Sequence, residues 1–251
     1  MTKEQTVIVI GGTKGIGAAI VRAFHASGSN VMIGARSDNG LAKELGDRAE
    51  FCAVDVCKAI EQRALVQAAQ DWTGRLDVFV NCAGLSAWRP LAKVDEEFWH
   101  RMIDTNLKGT FFGCQAAAAS LEQGGCIINV SSLAGKRGST NNSVYCAAKF
   151  GVNGITQALA KELGPRGIRV NAVCPVYVRT EGVLEALAED DAPPSGKDVD
   201  TYLADFIKLN SALGTLPTAD QVASVCLFLA SPAASAITGQ CINIDCGVLP
   251  Q

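Results

Sequence analysis

The sequence predicts one doubly wound α/β domain over residues 1–251, a parallel sheet with helices on both faces. Three observations predict it. Apolar runs of strand length alternate with amphipathic runs of helix length along the chain. A glycine-rich turn, Gly11-Gly12-Thr13-Lys14-Gly15-Ile16-Gly17, stands between the first strand and the first helix. A chain of 251 residues, 48% of them hydrophobic, can fill one sizeable core without dividing further. Helical crossovers between successive strands make the strands parallel.

Taken in order, Thr-Val-Ile-Val-Ile at 6–10 is the first strand, and 16–26 a helix with its apolar residues on one side. Residues 30–34 form a second strand and 41–45 a short helix; 51–54 is a third strand and 58–72 a helix. The apolar run 76–80 is a fourth strand, followed by one long helix over 98–121. Strand 126–130, helix 143–163 and strand 168–173 follow, then helix 218–229 and a last strand at 241–244. One stretch breaks the pattern. Residues 181–213 contain Ala-Glu-Asp-Asp-Ala-Pro-Pro-Ser-Gly-Lys-Asp, an acidic and proline-bearing run at the carboxyl end of the sixth strand. That position predicts a lid, with a passive surface loop as the alternative.

Composition excludes several classes. The net charge of −3, with no block of like charge, gives no footprint for nucleic acid or an acidic membrane surface. No run of about 18 apolar residues exists to span a bilayer. The first residues lead into a strand without the layout of a signal peptide. Ten cysteines without a Cys-x-x-Cys pair suggest neither a metal site nor a disulfide scaffold. A cytoplasmic protein with reduced thiols is the expectation.

In such a sheet ligands bind beyond the carboxyl ends of the strands, where the strand order reverses. The glycines of the first turn let the backbone bend sharply and approach a pyrophosphate at a helix N-terminus. A site for NAD places a carboxylate at the end of the second strand, to bond the ribose hydroxyl. Here that position is Ala35, followed by Arg36 and Ser37, with Lys14 a second cation on the same side. A 2′-phosphate would find a guanidinium there and no repulsion, so NADP(H) is the expected cofactor. Asp38 is a counter-signal, and Arg36 and Lys14 could also be two solvated cations.

Tyr145 and Lys149 lie four apart at the start of a helix and share a face. A tyrosine ordinarily titrates near pH 10, and a neighbouring ammonium lowers that value. It then serves as acid towards a ketone oxygen or as base towards an alcohol. Ser132, at the carboxyl end of the fifth strand, can hold the same oxygen.

With Asn81-Cys82-Ala83-Gly84 after the fourth strand, these motifs make the whole chain resemble the short-chain dehydrogenase/reductase family. It is similar in layout to 3-oxoacyl-carrier-protein reductases and to sugar or polyol dehydrogenases. The resemblance implies a Rossmann fold and a catalytic set of Asn106, Ser132, Tyr145 and Lys149. Lys149 would lower the pKa of Tyr145 and bond the nicotinamide ribose, and Asn106 would support a water-linked proton relay. Cofactor contacts would come from Gly11, Thr13, Lys14, Gly15, Ile16 and Gly17, from Arg36 and Ser37, and from Asp55 and Val56 beside the adenine. Asn81, Ala83 and Gly84 would flank the adenosine ribose, and Pro175, Val178 and Thr180 the carboxamide. The resemblance also implies a homotetramer built through the two long helices.

Four positions depart from the family's pattern: Ile10 for threonine, Cys82 for asparagine, Val176 for the glycine after a proline, and Cys246 for the first of two glycines. Substrate contacts are expected from Ser86, Trp88, Arg137, Asn141, Tyr177 and Arg179, on loops at the substrate end. Arg89, on the same loops, makes a third arginine that hints at a polar or anionic substrate. His25 and His100 lie within helices without partners and are read as structural or surface residues; Cys82 and Cys146 are read as small core side chains. The expected activity is hydride transfer between NADP(H) and a carbonyl or secondary alcohol, in the direction of ketone reduction. Two alternatives stand: an NAD-dependent dehydrogenase of a polyol or hydroxy acid, and a nucleotide sensor without turnover.

Overall fold

A computed structural model describes residues 5–250. Seven strands form one parallel sheet in the order β3-β2-β1-β4-β5-β6-β7. They are β1 (Thr6–Ile10), β2 (Asn30–Ala35), β3 (Ala49–Ala53), β4 (Val78–Asn81), β5 (Cys126–Val130), β6 (Arg169–Pro175) and β7 (Cys241–Ile244). The order reverses between β1 and β4, and that break opens the crevice at the carboxyl edge.

The central strands are mostly apolar and buried because both faces are covered. Val7 and Val9 of β1, with Val78 and Val80 of β4, point into a core closed by α1 (Gly15–Ala26) and α9 (Ala219–Ala230). Ile8, Ile10 and Phe79 point the other way, into a core closed by α3 (Ala59–Thr73), α5 (Gly109–Ser120) and α6 (Ser143–Leu163). A short α2 (Leu41–Leu45) packs beside β3. Thr218 starts α9 with a reciprocal cap: its hydroxyl accepts from Gln221 N–H while the Gln221 side chain accepts from Thr218 N–H.

Two expectations need correction. The helix over 98–121 is not one regular α-helix. α4 (Glu96–Ile103) runs into a wide turn at Asp104–Lys108 before α5 begins. An inserted residue of this kind leaves the helical axis continuous and changes which side chains face a neighbour. Within residues 181–213, where the sequence reading places no helix, two are present. They are α7 (Glu181–Leu187) and α8 (Val199–Asn210). Val199, Tyr202, Leu203, Phe206 and Ile207 make an amphipathic face that packs on Trp88, Leu187, Ala192 and Leu216 in a separate small core.

Candidate active site

A cavity of about 1150 Å³ lies over the carboxyl ends of β1, β2, β4, β5 and β6. At one end Gly11 N–H donates to Gly34 O at 2.7 Å, folding the glycine turn against β2. A side chain at Gly17 would collide with the carbonyl oxygen of Gly11, so only glycine permits this approach. The α1 helix then starts with no side-chain cap and no acidic residue in its first turn, leaving its first N–H groups to an anion. Gly11, Thr13, Lys14, Gly15, Ile16 and Gly17 all line the cavity, as do Arg36, Ser37, Asp55, Val56, Ala83, Gly84, Pro175, Val178 and Thr180. A backbone cradle, an uncapped helix and two exposed cations fit a phosphorylated dinucleotide.

The structure separates Asp38 from this wall. Its carboxylate accepts from Gly40 N–H at 2.8 Å, and the residue does not line the cavity. Asn39, which the sequence did not single out, does line the cavity and donates to Thr13 O at 2.5 Å, tying the β2–α2 turn to the glycine turn. Asn81 is a correction: it is buried behind the wall and donates to Asn129 Oδ1 at 2.9 Å. Its place at the strand end is as expected, but the pleat turns its side chain into the core.

At the middle of the cavity, Tyr145 and Lys149 project from the first turns of α6, with the Lys149 Nζ 5.7 Å from the centre of the Tyr145 ring. Lys149 is buried and donates to Val130 O at 2.9 Å. Burial lowers its pKa to about 8, with the Cys82 and Cys174 thiols nearby opposing the drop. Burial pushes Tyr145 up to about 12, and the Ser132 hydroxyl pulls it partly back. Desolvation of the phenolate is the largest influence on Tyr145 in this cavity. Tyr145 carries its proton at neutral pH. Ser132 Oγ accepts from Ala134 N–H at 3.1 Å, which leaves its own O–H free to donate.

Asn106 sits in the wide turn after α4, fully buried. It clamps the loop after β4: Oδ1 accepts from Leu85 N–H at 3.2 Å, and Nδ2 donates to Leu85 O at 3.0 Å and Met102 O at 2.9 Å. Gly84 makes room for this clamp, because a Cβ there would stand 2.9 Å from Asn106 Oδ1.

At the substrate end Ser86, Trp88, Arg137 and Tyr177 line the cavity. Asn141 and Arg179 do not. Asn141 donates to Asp191 O at 3.1 Å, and exposed Arg179 pairs with Asp200 at 2.6 Å. The wall is more aromatic than the sequence suggested. Phe206 of α8 meets Tyr177 edge to face at 4.9 Å, and the Tyr177 and Tyr202 hydroxyls are 3.2 Å apart. Val176 lies between these rings and Leu133, packed with both. Asn142, Val183 and Phe206 are further wall residues that sequence reasoning passed over, and His100, read from sequence as a structural or surface residue, also lines the cavity.

A parallel sheet with an anion cradle at its switch point and a buried Tyr–Lys pair beside it define a dinucleotide-binding oxidoreductase. The family model described as enoyl-(acyl carrier protein) reductase matches residues 11–249. A 3-oxoacyl-[acyl-carrier-protein] reductase of Chlamydia muridarum is 34% identical over 98% of this chain and 97% of its own. D-threitol dehydrogenase of Mycolicibacterium smegmatis is 35% identical over 97% and 92%. Among solved structures, an actinorhodin polyketide ketoreductase variant with NADPH superposes with a TM-score of 0.91 at 32% identity, covering 99% of this chain and 98% of that one. The chain belongs to the short-chain dehydrogenase/reductase family, whose members use a nicotinamide cofactor and act on C=O and CH–OH groups. No helix of the described residues is long and apolar enough to cross a membrane.

Proposed function

We propose that the protein is an NADPH-dependent ketone reductase acting as a homotetramer in the cytoplasm. The observation that carries the reading is the meeting of Tyr145, Ser132 and Lys149 in one cavity with the glycine turn, Lys14 and Arg36. A neutral phenol is a proton donor, and reduction needs one at the substrate oxygen. When bound, the nicotinamide supplies the hydride. Ser132 donates to the same oxygen and fixes its position. Lys149 holds the cofactor's ribose, and Asn106 keeps the β4 loop in place through Leu85. The aromatic wall of Tyr177, Phe206 and Trp88 favours an apolar, flat ketone over a polyol, with Arg137 able to meet a polar or anionic group.

Preference for NADPH rests on Arg36 and Lys14 beside Ala35 where a carboxylate would repel the phosphate. Two charge-assisted bonds of roughly 1.5–3 kcal/mol each suffice for tenfold discrimination or more. Thermal unfolding with each cofactor tests this. NADPH at about 100 times its dissociation constant adds about 2.7 kcal/mol and raises the midpoint by roughly 5–10 °C. NADH at the same concentration should move it little. An equal or larger shift with NADH would move the reading to alcohol oxidation with NAD. A Tyr145→Phe variant that still reduced carbonyls at the native rate would remove the assigned acid.

A further inference from the structure

The acidic run Glu189-Asp190-Asp191 is not simply solvated. The Asp191 side chain is only 14% exposed and sits between two cations of the segment that follows β4. Lys93 Nζ stands 2.7 Å from its Oδ1, and Arg89 Nη1 3.5 Å from its Oδ2. Glu189 Oε2, 3.7 Å from the same guanidinium, is buried and accepts no hydrogen bond. The backbone closes the knot: Asp191 O accepts from Asn141 Nδ2 at 3.1 Å, and Arg89 N–H donates to Asn141 O at 2.6 Å. Asn141 itself has φ +58°, a conformation that side chains other than glycine adopt at a cost.

Three segments are thus held at one point: the insertion after β6, the loop after β4 and the turn leading into α6. Two anchors adjoin cavity residues, and the third adjoins the small core behind them. Trp88 precedes Arg89, Asn142 follows Asn141 three residues ahead of Tyr145, and Ala192 follows Asp191 and packs in the same small core as Trp88. A single exposed ion pair contributes little, but one shielded carboxylate shared by two cations and backed by main-chain bonds is a network.

We infer that Asp191 is a positioning residue that latches the insertion over the substrate end, so that it sets carbonyl affinity without taking part in the chemical step. This rests on the reading of that end as the substrate's, and the latch itself is open to a test without turnover. Asp191→Asn keeps size and backbone while removing the charge; Asp190→Asn, at the exposed neighbour outside the network, is the control. In hydrogen exchange, Asp191→Asn should speed exchange in residues 86–93 and 188–198, and Asp190→Asn should not. In turnover, Asp191→Asn should raise the KM for an aryl ketone about fivefold, with kcat and the KM for NADPH changed less than about twofold. Raising KCl from about 50 to about 500 mM should raise the native KM and leave that of Asp191→Asn nearly unchanged. Unaltered exchange in both segments would overturn the latch, and faster exchange with an unchanged carbonyl KM would reduce Asp191 to a structural residue. If the native protein reduced no carbonyl, the reading of the site would fall while exchange still decided the latch.

Discussion

Lys149 and Tyr145 are shifted in opposite directions by the same burial, and the consequence is a pH dependence with a definite sign. Lys149 keeps its proton below about 8 and loses it as the pH rises through that value, while Tyr145 keeps its proton to about 12. Carbonyl reduction should therefore decline on the alkaline side with a midpoint near 8, measured as kcat/KM against pH. In Lys149→Arg the guanidinium stays charged, so the decline near 8 should vanish even if the rate is lower. Loss of fold would not mimic this. Between about 8 and 10.5 the unfolded chain binds the Lys149 proton that the folded one has released, so this residue's contribution makes the protein more stable as pH rises. Cys246 shows a different residue-scale effect. It takes φ +55° where the family's pattern has glycine, and the following Gly247 has φ +81° and no room for a Cβ, which would stand 2.6 Å from Ala212 Cβ.

At the scale of elements, the wide turn at Asp104–Lys108 explains how a buried asparagine comes to serve a loop on another element. Its extra residue rotates Asn106 towards Leu85, and the clamp satisfies both backbone groups of that residue. Asn106→Ala removes three hydrogen bonds and leaves the Met102 carbonyl without its side-chain donor. The loss should be about 2–3 kcal/mol, a fall of roughly 5–10 °C in the unfolding midpoint. A midpoint within a degree or two of native would show that the clamp is redundant. The amphipathic face of α8 works in the same way on the other side of the cavity. It gives the insertion its own small core, so Tyr177 and Phe206 are held by packing rather than left on a loose loop.

For the whole molecule, two faces of one parallel sheet carry two cores, and α4, α5 and α6 each leave one large ring exposed. Trp99, Phe111 and Phe150 are 45%, 42% and 48% exposed, which is costly for rings of that size in an isolated chain. The proposed tetramer would cover them. Sedimentation of the native protein should report a tetramer, and Phe111→Glu together with Phe150→Glu should yield a smaller species. A native monomer would instead leave these rings as surface residues of a single chain. The ten thiols are all free, and burial pushes Cys82 and Cys114 up to about 12, so neither is a reactive thiolate at neutral pH.

The sequence by itself determined the sheet, most of the helices and the residues that meet at its carboxyl edge. Those features are written in local pattern: β-branched runs buried on both faces, glycines where a backbone must turn, and a Tyr–Lys pair at helical spacing. Thr6–Ile10, Cys126–Val130 and Cys241–Ile244 stand where the apolar runs put them. Tertiary structure alone decided the rest. Whether Asn81 faced the cavity or the core depended on the pleat of β4, and whether Asp38 opposed a phosphate depended on the turn that gives its carboxylate to Gly40. The protonation of Tyr145 was set by how deeply its neighbours bury it, a quantity no spacing encodes. Asp191 became a ligand of Arg89 and Lys93 because folding brought together segments about a hundred residues apart, and pairing across that distance leaves no mark on the local pattern of either segment.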